Sequence, residues 1–496
     1  MRATQLLAPA AAVLIAAACS GENPGSPADG ASDWTVVDLV ADPVDDHVEE
    51  PADVWPDAPV TVSDLVITEN PRNALSFYVS WSTSSEVLTE LLVDCGDEYT
   101  RAFRGERATL THEVFVMGLI AGLSCTVTAH PDRAGLVGLA TATCEDVGPL
   151  PPGLPVLSVD VVDAPRMQAG WTMLSVAEMG VVGDATIVAI DAHGRYRWYL
   201  AAGVEYESPE AEVMPVAQGV LLGNLRGDSQ IASWEGEVLW KLDNRSHHDM
   251  RFSPFAGDHM LFLGHGSATC PYGGVEHTAV EMDMATHEIV WEWWICDHWT
   301  PRMDYVGWAH LNAIEPVPGE RAVLLSSRNQ DALFKVDRDT GEIEWVLGRD
   351  GDFAMDPSDH FLRQHAPEIL PDGSILLFDN GLRSSEATHD GLEARTFSRV
   401  LQFALTFDVG GRPDRAEVVW EYTDPEIFAF SRSEADRLPN GNTLIHYCYI
   451  QPDLDVVLRE VTADLEIVWN VTSPPDVASY RSERFEPYFG HVILAE

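Results

Sequence analysis

Lysine is almost absent from this chain of 496 residues, in which only Lys241 and Lys335 occur. Arginine supplies nearly all the positive charge, and 79 acidic against 30 basic residues give a formal net charge of −49. Such a surface repels nucleic acid and anionic lipid, so neither is expected as a partner. Because the overall field also opposes the approach of an anionic substrate, any anion site must be a local cationic pocket.

Long apolar runs are also scarce, and the one at the beginning is short. The apolar run Leu6 to Ala18 follows Arg2 and cannot span a bilayer stably. It ends in Ala-Ala-Ala-Cys, which resembles the lipobox of bacterial lipoproteins. We therefore predict a signal peptide over residues 1–18 and lipid attachment at Cys19, with ordinary signal-peptidase cleavage as the alternative. The expected location is the periplasm or the cell surface, with an anchor in the outer membrane.

Cysteines are few, and none of their spacings is typical of a zinc site. Export to an oxidising compartment favours disulfides among the six that follow Cys19. Cys270 and Cys296 fall in one candidate repeat and are the predicted pair. Three others lie in one N-terminal region: Cys95, Cys125 and Cys144. Since a disulfide takes two of them, the third has no partner within that region.

Composition divides the chain into segments of different character. Residues 19–57 are predicted to be a disordered tether, since positions 20–57 carry eleven acidic residues and neither Lys nor Arg. Residues 58–148 hold short alternating runs and turns, which predict a small β-sandwich of the immunoglobulin or fibronectin type. The sandwich would serve as a spacer or pair two chains into a homodimer. A Pro/Gly-rich linker follows, and residues 149–496 are predicted to form the second folded domain.

A short segment ending in tryptophan recurs along that last part of the chain. A supersecondary unit repeated every 42 to 75 residues is typical of a β-propeller, in which small sheets stack around an axis. Six copies predict six blades, so the fold class is all-β, a six-bladed propeller preceded by the small sandwich. We expect the tryptophans to pack between neighbouring sheets. The six are Trp198, Trp240, Trp291, Trp345, Trp420 and Trp469.

Polar residues at like positions of neighbouring repeats predict a site at the propeller axis. His310 and Asn312 are one residue apart and would share a face of a strand. Arg328 follows a strong strand of the same repeat, and His248 and His365 begin matching units in neighbouring repeats. Guanidinium, carboxamide and imidazole groups that meet there would bind a small oxyanion.

The residues around these positions resemble a known family. The motifs are H-x-N at 310–312, SSRNQDALFKVDRDTGEIEWVLG at 326–348, QHAP at 364–367 and LPDGSILLFDNG at 370–381. Together they resemble the bacterial PAPS-independent arylsulfate sulfotransferases over roughly residues 155–480. The resemblance implies an exported six-bladed propeller with a small N-terminal sandwich, which agrees with the patterns above.

The family mechanism implies a role for each matching residue. His365 resembles the histidine that attacks the sulfur of an aryl sulfate and forms a sulfohistidine in a ping-pong cycle. Arg328, His310 and Asn312 match positions that hold the sulfuryl oxygens. His248 matches a further sulfuryl-binding or proton-carrying histidine, with His247 as the alternative. The implied partners are an aryl sulfate donor and a phenolic acceptor, and neither a cofactor nor a metal is expected.

Three other interpretations stay open from the sequence. The propeller could be a catalytically silent surface protein that binds or displays partners. The segment KVDRDTGEIEW also resembles the repeat of quinoprotein dehydrogenases, although six repeats disagree with their usual eight blades. The imidazoles of His248, His310 and His365 could instead bind zinc. The neighbouring Arg328 would repel the cation.

Overall fold

The computed structural model describes most of the chain after residue 58. The predicted signal peptide, the lipid attachment at Cys19 and the acidic tether lie outside the described residues. In the described part, no helix combines the length and the apolar character that crossing a bilayer requires. The described residues are 59–105, 107–131, 140–144, 146–178, 183–206, 211–224, 228–243, 245–265, 270, 276–301, 307–386 and 393–487.

Among these residues the chain divides between Leu150 and Pro151 into two compact units. The first contains a three-stranded antiparallel sheet with the order β1-β2-β5 and a four-stranded one with the order β4-β3-β6-β7. The strands are β1 (Val62–Glu69), β2 (Ser76–Val87), β3 (Thr89–Asp94), β4 (Thr100–Arg104), β5 (Thr109–Met117), β6 (Cys125–Pro131) and β7 (Ala140–Cys144).

Alternation of side chains builds the core of this first unit. In β2 the apolar Phe77, Val79 and Trp81 are buried while the residues between them are partly exposed, as period-2 geometry requires. A disulfide joins Cys95 to Cys125. The assignment of this unit to the immunoglobulin or fibronectin type stays a prediction.

The described residues of the second unit form six antiparallel sheets. The first combines β9 (Trp171–Glu178), β10 (Gly183–Ile190) and β11 (Tyr196–Tyr206) with β32 (Val477–Ala478) and β33 (Ser482–Phe485). The second contains β12 (Ala211–Val216), β13 (Gly219–Asn224), β14 (Ser229–Ser233) and β15 (Val238–Leu242). The third contains β16 (Ser246–Phe252), β17 (His259–His265), β18 (Glu276–Asp283) and β19 (Ile289–Trp294).

The remaining sheets follow in chain order. The fourth contains β20 (Leu311–Pro316), β21 (Ala322–Ser327), β22 (Ala332–Asp337) and β23 (Ile343–Gly348). The fifth contains β24 (His365–Ile369), β25 (Ile375–Asp379), β26 (Arg399–Phe407) and β27 (Pro413–Thr423). The sixth combines β28 (Glu434–Arg437), β29 (Thr443–Ile450), β30 (Asp455–Val461) and β31 (Ile467–Thr472) with β8 (Ser158–Val162). Among the described residues, helix is found in α1 (Ile295–His298), in two 3₁₀ turns, Arg328–Gln330 and Pro357–Asp359, and at positions 384–386.

From the second sheet to the sixth, the first strand of each sheet contacts the first strand of the next sheet. These inner strands surround a common axis. Strand β16 contacts β20, β20 contacts β24, and β24 contacts β28, while β12 contacts both β16 and β33. The ring closes between β28 and β33, where the Ser482 backbone N–H donates to Glu434 Oε2 at 3.0 Å. The apolar core lies between successive sheets; for example, Leu261 and Leu263 of the third pack with Val323 and Leu325 of the fourth.

Both ends of the second unit take part in this closure. Strand β33 pairs with β9 in the first sheet, and β8 pairs with β31 in the sixth. The segment Ser482–Phe485 thus adds a strand to the first sheet from a distant part of the chain. Strands from the beginning and from the end of this unit are therefore built into the last and the first sheet, respectively.

The recurring tryptophans link neighbouring sheets through their indole N–H groups. Trp198, on the last strand of the first sheet, donates to the Trp234 carbonyl in a turn of the second at 2.8 Å. Trp240 donates in the same way to Met284 at 2.9 Å, and Trp469 closes the series on Ala192 at 2.8 Å. In the third sheet Trp293 is the donor and reaches Gly341, while the predicted Trp291 packs against the core between the third and fourth sheets. The repeated residue is therefore structural, as expected.

The prediction of an all-β propeller is confirmed, whereas the number of blades stays a prediction. The predicted disulfide between Cys270 and Cys296 is present. The remaining described cysteine of the second unit, Cys448, is a buried free thiol.

Candidate active site

Three inner strands bend sharply where the predicted site residues lie. The strand pairing shifts register after His247 in β16, after Leu311 in β20 and after His365 in β24. A non-glycine residue with a positive φ lies in or directly before each bend: 54° at His248, 44° at His310 and 44° at Ala366. Such conformations cost about 1–3 kcal/mol each and persist only where the surrounding structure imposes them. These bends turn side chains of three strands toward one place.

His365 is the best-defined residue of the site. It is the first residue of β24, and its side chain is buried. Its Nδ1 lies 2.6 Å from Asn380 Oδ1 and 3.0 Å from the Arg363 carbonyl oxygen. Both partners can only accept, so Nδ1 carries the hydrogen and Nε2 carries the lone pair.

His248 faces the other histidines, whereas His247 faces the backbone. The His248 and His310 rings lie 4.9 Å apart in an edge-to-face arrangement. His247 Nε2 donates to the Gly264 carbonyl at 3.2 Å, so its Nδ1 accepts from His248 Nδ1 at 2.8 Å. The His248 Nε2 is therefore the nitrogen with the lone pair. Of the two histidines that the sequence left open, His248 is the one turned toward His310.

Asn312 and Arg328 complete the predicted set. Asn312 is fully buried, and its Nδ2 donates to the Gln364 carbonyl at 2.7 Å, immediately before His365. Arg328 has 12% of its side chain exposed and donates to Glu386 at 3.2 Å and to Asn329 at 2.8 Å. Asp331, three residues after Arg328, pairs with Arg363 at 3.1 Å.

Burial and neighbouring charged groups lower the pKa of His365 and of His248 and so favour their uncharged forms. Burial holds the pKa of His365 well below its usual range, and Arg328, Arg481 and His310 lower it further, while the hydrogen bond to Asn380 opposes the shift. Burial also lowers the pKa of His248, assisted by His310, His247, His365 and Arg481. These mutual interactions bring His248, His310, His365 and Arg328 into one electrostatic group.

Two residues of this group were missed by the sequence analysis. Arg481 is fully buried, donates to the Asn312 carbonyl at 2.9 Å and lies 3.4 Å from Asp249 Oδ2. Asn380, in the FDNG motif, holds His365. The motif was quoted for the resemblance, but nothing in its spacing indicates that Asn380 faces His365 across the sheet.

His446 in β29 lies outside this group but is also buried. Burial lowers its pKa to about 3. Because the folded pKa lies below the unfolded value of about 6.5, this residue costs stability as the pH falls below 6.5. We expect His446→Leu to change the free energy of unfolding differently at the two pH values. The loss of stability should be about 2 kcal/mol smaller at pH 5 than at pH 7. Urea unfolding of both proteins at the two pH values measures this difference. An equal effect of the substitution at both values would contradict the prediction.

The arrangement can bind a small oxyanion beside an uncharged imidazole. Arg328 supplies a planar set of donors, and Asn312 has a second N–H on the amide nitrogen that bonds Gln364. In a buried site such fixed donors stabilise developing negative charge without reorganising. The two arginines that lower the pKa of His365 disfavour the alternative of a metal cation on the three histidines.

The chain is similar to one described protein family and to several solved structures. A family model described as arylsulfotransferase (ASST) matches residues 164–481. Among solved structures, the chain is similar to the β-propeller domain of Cps50 (Swd1) from Myceliophteria thermophila, at 11% identity and a TM-score of 0.37, covering 63% of this chain and 88% of that one. It is also similar to BamB from Moraxella catarrhalis, at 11% identity and a TM-score of 0.29, covering 73% and 91%. No curated protein sequence matches the chain significantly.

Proposed function

Because the chain belongs to the arylsulfotransferase family, we propose that it moves a sulfuryl group from an aryl sulfate to a phenolic acceptor through a sulfohistidine at His365. The observation that supports this most is the state of His365. It is a buried, uncharged imidazole whose Nε2 lone pair is available beside Arg328. An uncharged imidazole is a competent nucleophile, and a nearby guanidinium stabilises the oxygens of the group under attack.

In the first half of the reaction, His365 Nε2 forms a bond to sulfur as the bond between sulfur and the aryl oxygen breaks. The electron pair of that bond leaves with the phenolate, which takes up a proton. In the second half, the acceptor oxygen attacks the same sulfur, loses its proton, and His365 is released unchanged. Arg328, His310 and Asn312 are the proposed ligands of the sulfuryl oxygens. Neither a nucleotide donor nor a metal is required.

His248 is the proposed proton carrier for the phenols. Its Nδ1–H is held by His247, so Nε2 is free to remove a proton from the acceptor as the acceptor attacks. Its lowered pKa means that the protonated form gives the proton up readily, for example to a departing phenolate.

The test uses 4-nitrophenyl sulfate as donor and phenol as acceptor. We expect nitrophenol release that depends on both substrates with ping-pong kinetics. Mixing the protein with donor alone, followed by rapid quenching and mass spectrometry, should show one added SO₃ group on the peptide that contains His365. Absence of nitrophenol release across the neutral pH range would favour a silent binding propeller instead. Release without any modified His365 peptide would favour direct transfer between the two phenols.

A further inference from the structure

The Asn380 side chain is enclosed by partners that fix its orientation. It is fully buried, and its Nδ2 lies 2.8 Å from the Ala429 carbonyl oxygen and 2.9 Å from that of Arg432. Turning the amide over would set Oδ1 against those two carbonyl oxygens and would lose both hydrogen bonds that Nδ2 donates. The amide therefore keeps Oδ1 on the side of His365.

This orientation determines which nitrogen of His365 is protonated. Asn380 Oδ1 and the Arg363 carbonyl oxygen both lie within 3.0 Å of Nδ1, and neither has a hydrogen to donate. A hydrogen on Nδ1 satisfies both, whereas a hydrogen on Nε2 would leave three acceptor atoms facing each other in a buried space. The cost of such an arrangement is that of unsatisfied buried polar groups.

Given the sulfuryl transfer proposed above, we infer that Asn380 is a positioning residue that keeps the proton of His365 on Nδ1 and thereby presents the Nε2 lone pair to sulfur. The residue acts from the fifth sheet but is anchored on carbonyl groups of the segment that leads into β28 of the sixth. The two sheets thus jointly fix the orientation of the nucleophile.

Asn380 also suits the charge that develops during transfer. When Nε2 bonds to sulfur, the ring gains positive character and Nδ1–H becomes a stronger donor, so the contact with Asn380 Oδ1 strengthens at that moment. A carboxylate at the same place would orient the ring equally well. It would also attract a proton to the resting imidazole and so remove the lone pair near neutral pH. A neutral amide orients the ring without this effect.

Two substitutions separate orientation from charge. Asn380→Ala removes one of two acceptors, and we expect kcat to fall about 10- to 100-fold while KM for the aryl sulfate changes little. Asn380→Asp keeps an acceptor and adds a negative charge, so the acidic limb of the kcat profile should move about one to three pH units upward. Nitrogen-15 NMR of the resting protein should show His365 protonated on Nδ1, with a growing Nε2–H fraction in Asn380→Ala. Comparison with His365→Ala identifies the resonances.

Ser398→Ala is the matched control. The Ser398 hydroxyl donates to the Asn380 carbonyl at 2.8 Å and accepts from the Ala429 N–H at 2.9 Å, but it does not contact His365. We expect this variant to retain the wild-type tautomer and pH profile. A similar pH shift in Ser398→Ala, or an unchanged tautomer and kcat in Asn380→Ala, would overturn the inference. Because the NMR readout needs no substrate, it stands even if the wild-type protein transfers no sulfuryl group.

Discussion

Replacement of His365 with alanine is expected to remove sulfuryl transfer, lowering kcat on the order of 10⁴- to 10⁶-fold. The substitution deletes the only atom proposed to bond to sulfur, and His248 and His310 belong to other strands and cannot take its place without moving the backbone. Binding of the donor should persist, since Arg328 and Asn312 remain. Steady-state release of 4-nitrophenol measures the loss of turnover, and calorimetry measures the retained binding.

The folded state provides the control for this loss. His365 is a buried group whose protonation is disfavoured, so its removal should leave the midpoint of thermal unfolding at neutral pH within a few degrees of the wild type. A conserved fold with undiminished turnover would remove His365 from the mechanism. Loss of turnover together with loss of the fold would be resolved with His365→Asn, which keeps a hydrogen-bonding side chain of similar size.

Replacement of Asp331 with alanine is expected to lower the free energy of unfolding by about 3–5 kcal/mol. Asp331 is fully buried, and its Oδ1 accepts from the Arg363 guanidinium at 3.1 Å and from the Arg363 N–H at 3.0 Å. Alanine removes the carboxylate that pairs with the buried guanidinium. It must also adopt a left-handed backbone at φ 51°, which alanine tolerates less well than aspartate. Urea unfolding followed by tryptophan fluorescence measures the change.

Two matched variants sharpen this expectation. Asp331→Asn keeps an acceptor for the Arg363 backbone and a side chain that tolerates left-handed geometry, so it should be less destabilising than alanine. Asp339→Ala breaks an ion pair with Arg321 in which both side chains are about half exposed, and it should change the free energy of unfolding by less than about 1 kcal/mol. Equal effects of the Asp331 and Asp339 substitutions would contradict the assigned role of the buried pair. Because Arg363 precedes Gln364 and His365, the Asp331 variants should lose turnover as well as stability.

The repeat in the sequence predicted the propeller because each copy places a tryptophan on the last strand of a sheet. That position is set by local pattern and turn spacing, which a sequence displays directly. The exception is informative: in the third sheet Trp291 fits the spacing, but Trp293 makes the bond to the next sheet. Two tryptophans on the same face of one strand cannot be told apart by periodicity alone.

The candidate site was only partly predictable. His248, His310, Asn312, Arg328 and His365 were identified from repeat position and motif resemblance, and their assigned roles stay predictions. Asn380 and Arg481 were missed because their contacts depend on the backbone bends and on the closure of the ring. The positive φ values at His248 and His310 have no counterpart in the sequence pattern, since neither residue is a glycine.

The position of Arg481 has a consequence for the timing of assembly. Arg481 bonds the backbone of Asn312, yet it is separated from that residue by 169 positions, and β33, which follows it, supplies the last pairing of the first sheet. A nascent chain therefore has every proposed sulfuryl ligand long before it can hold them in place. We expect the proposed pocket to be complete only after Phe485 has been synthesised, so a chain interrupted earlier would carry the proposed nucleophile without its enclosure.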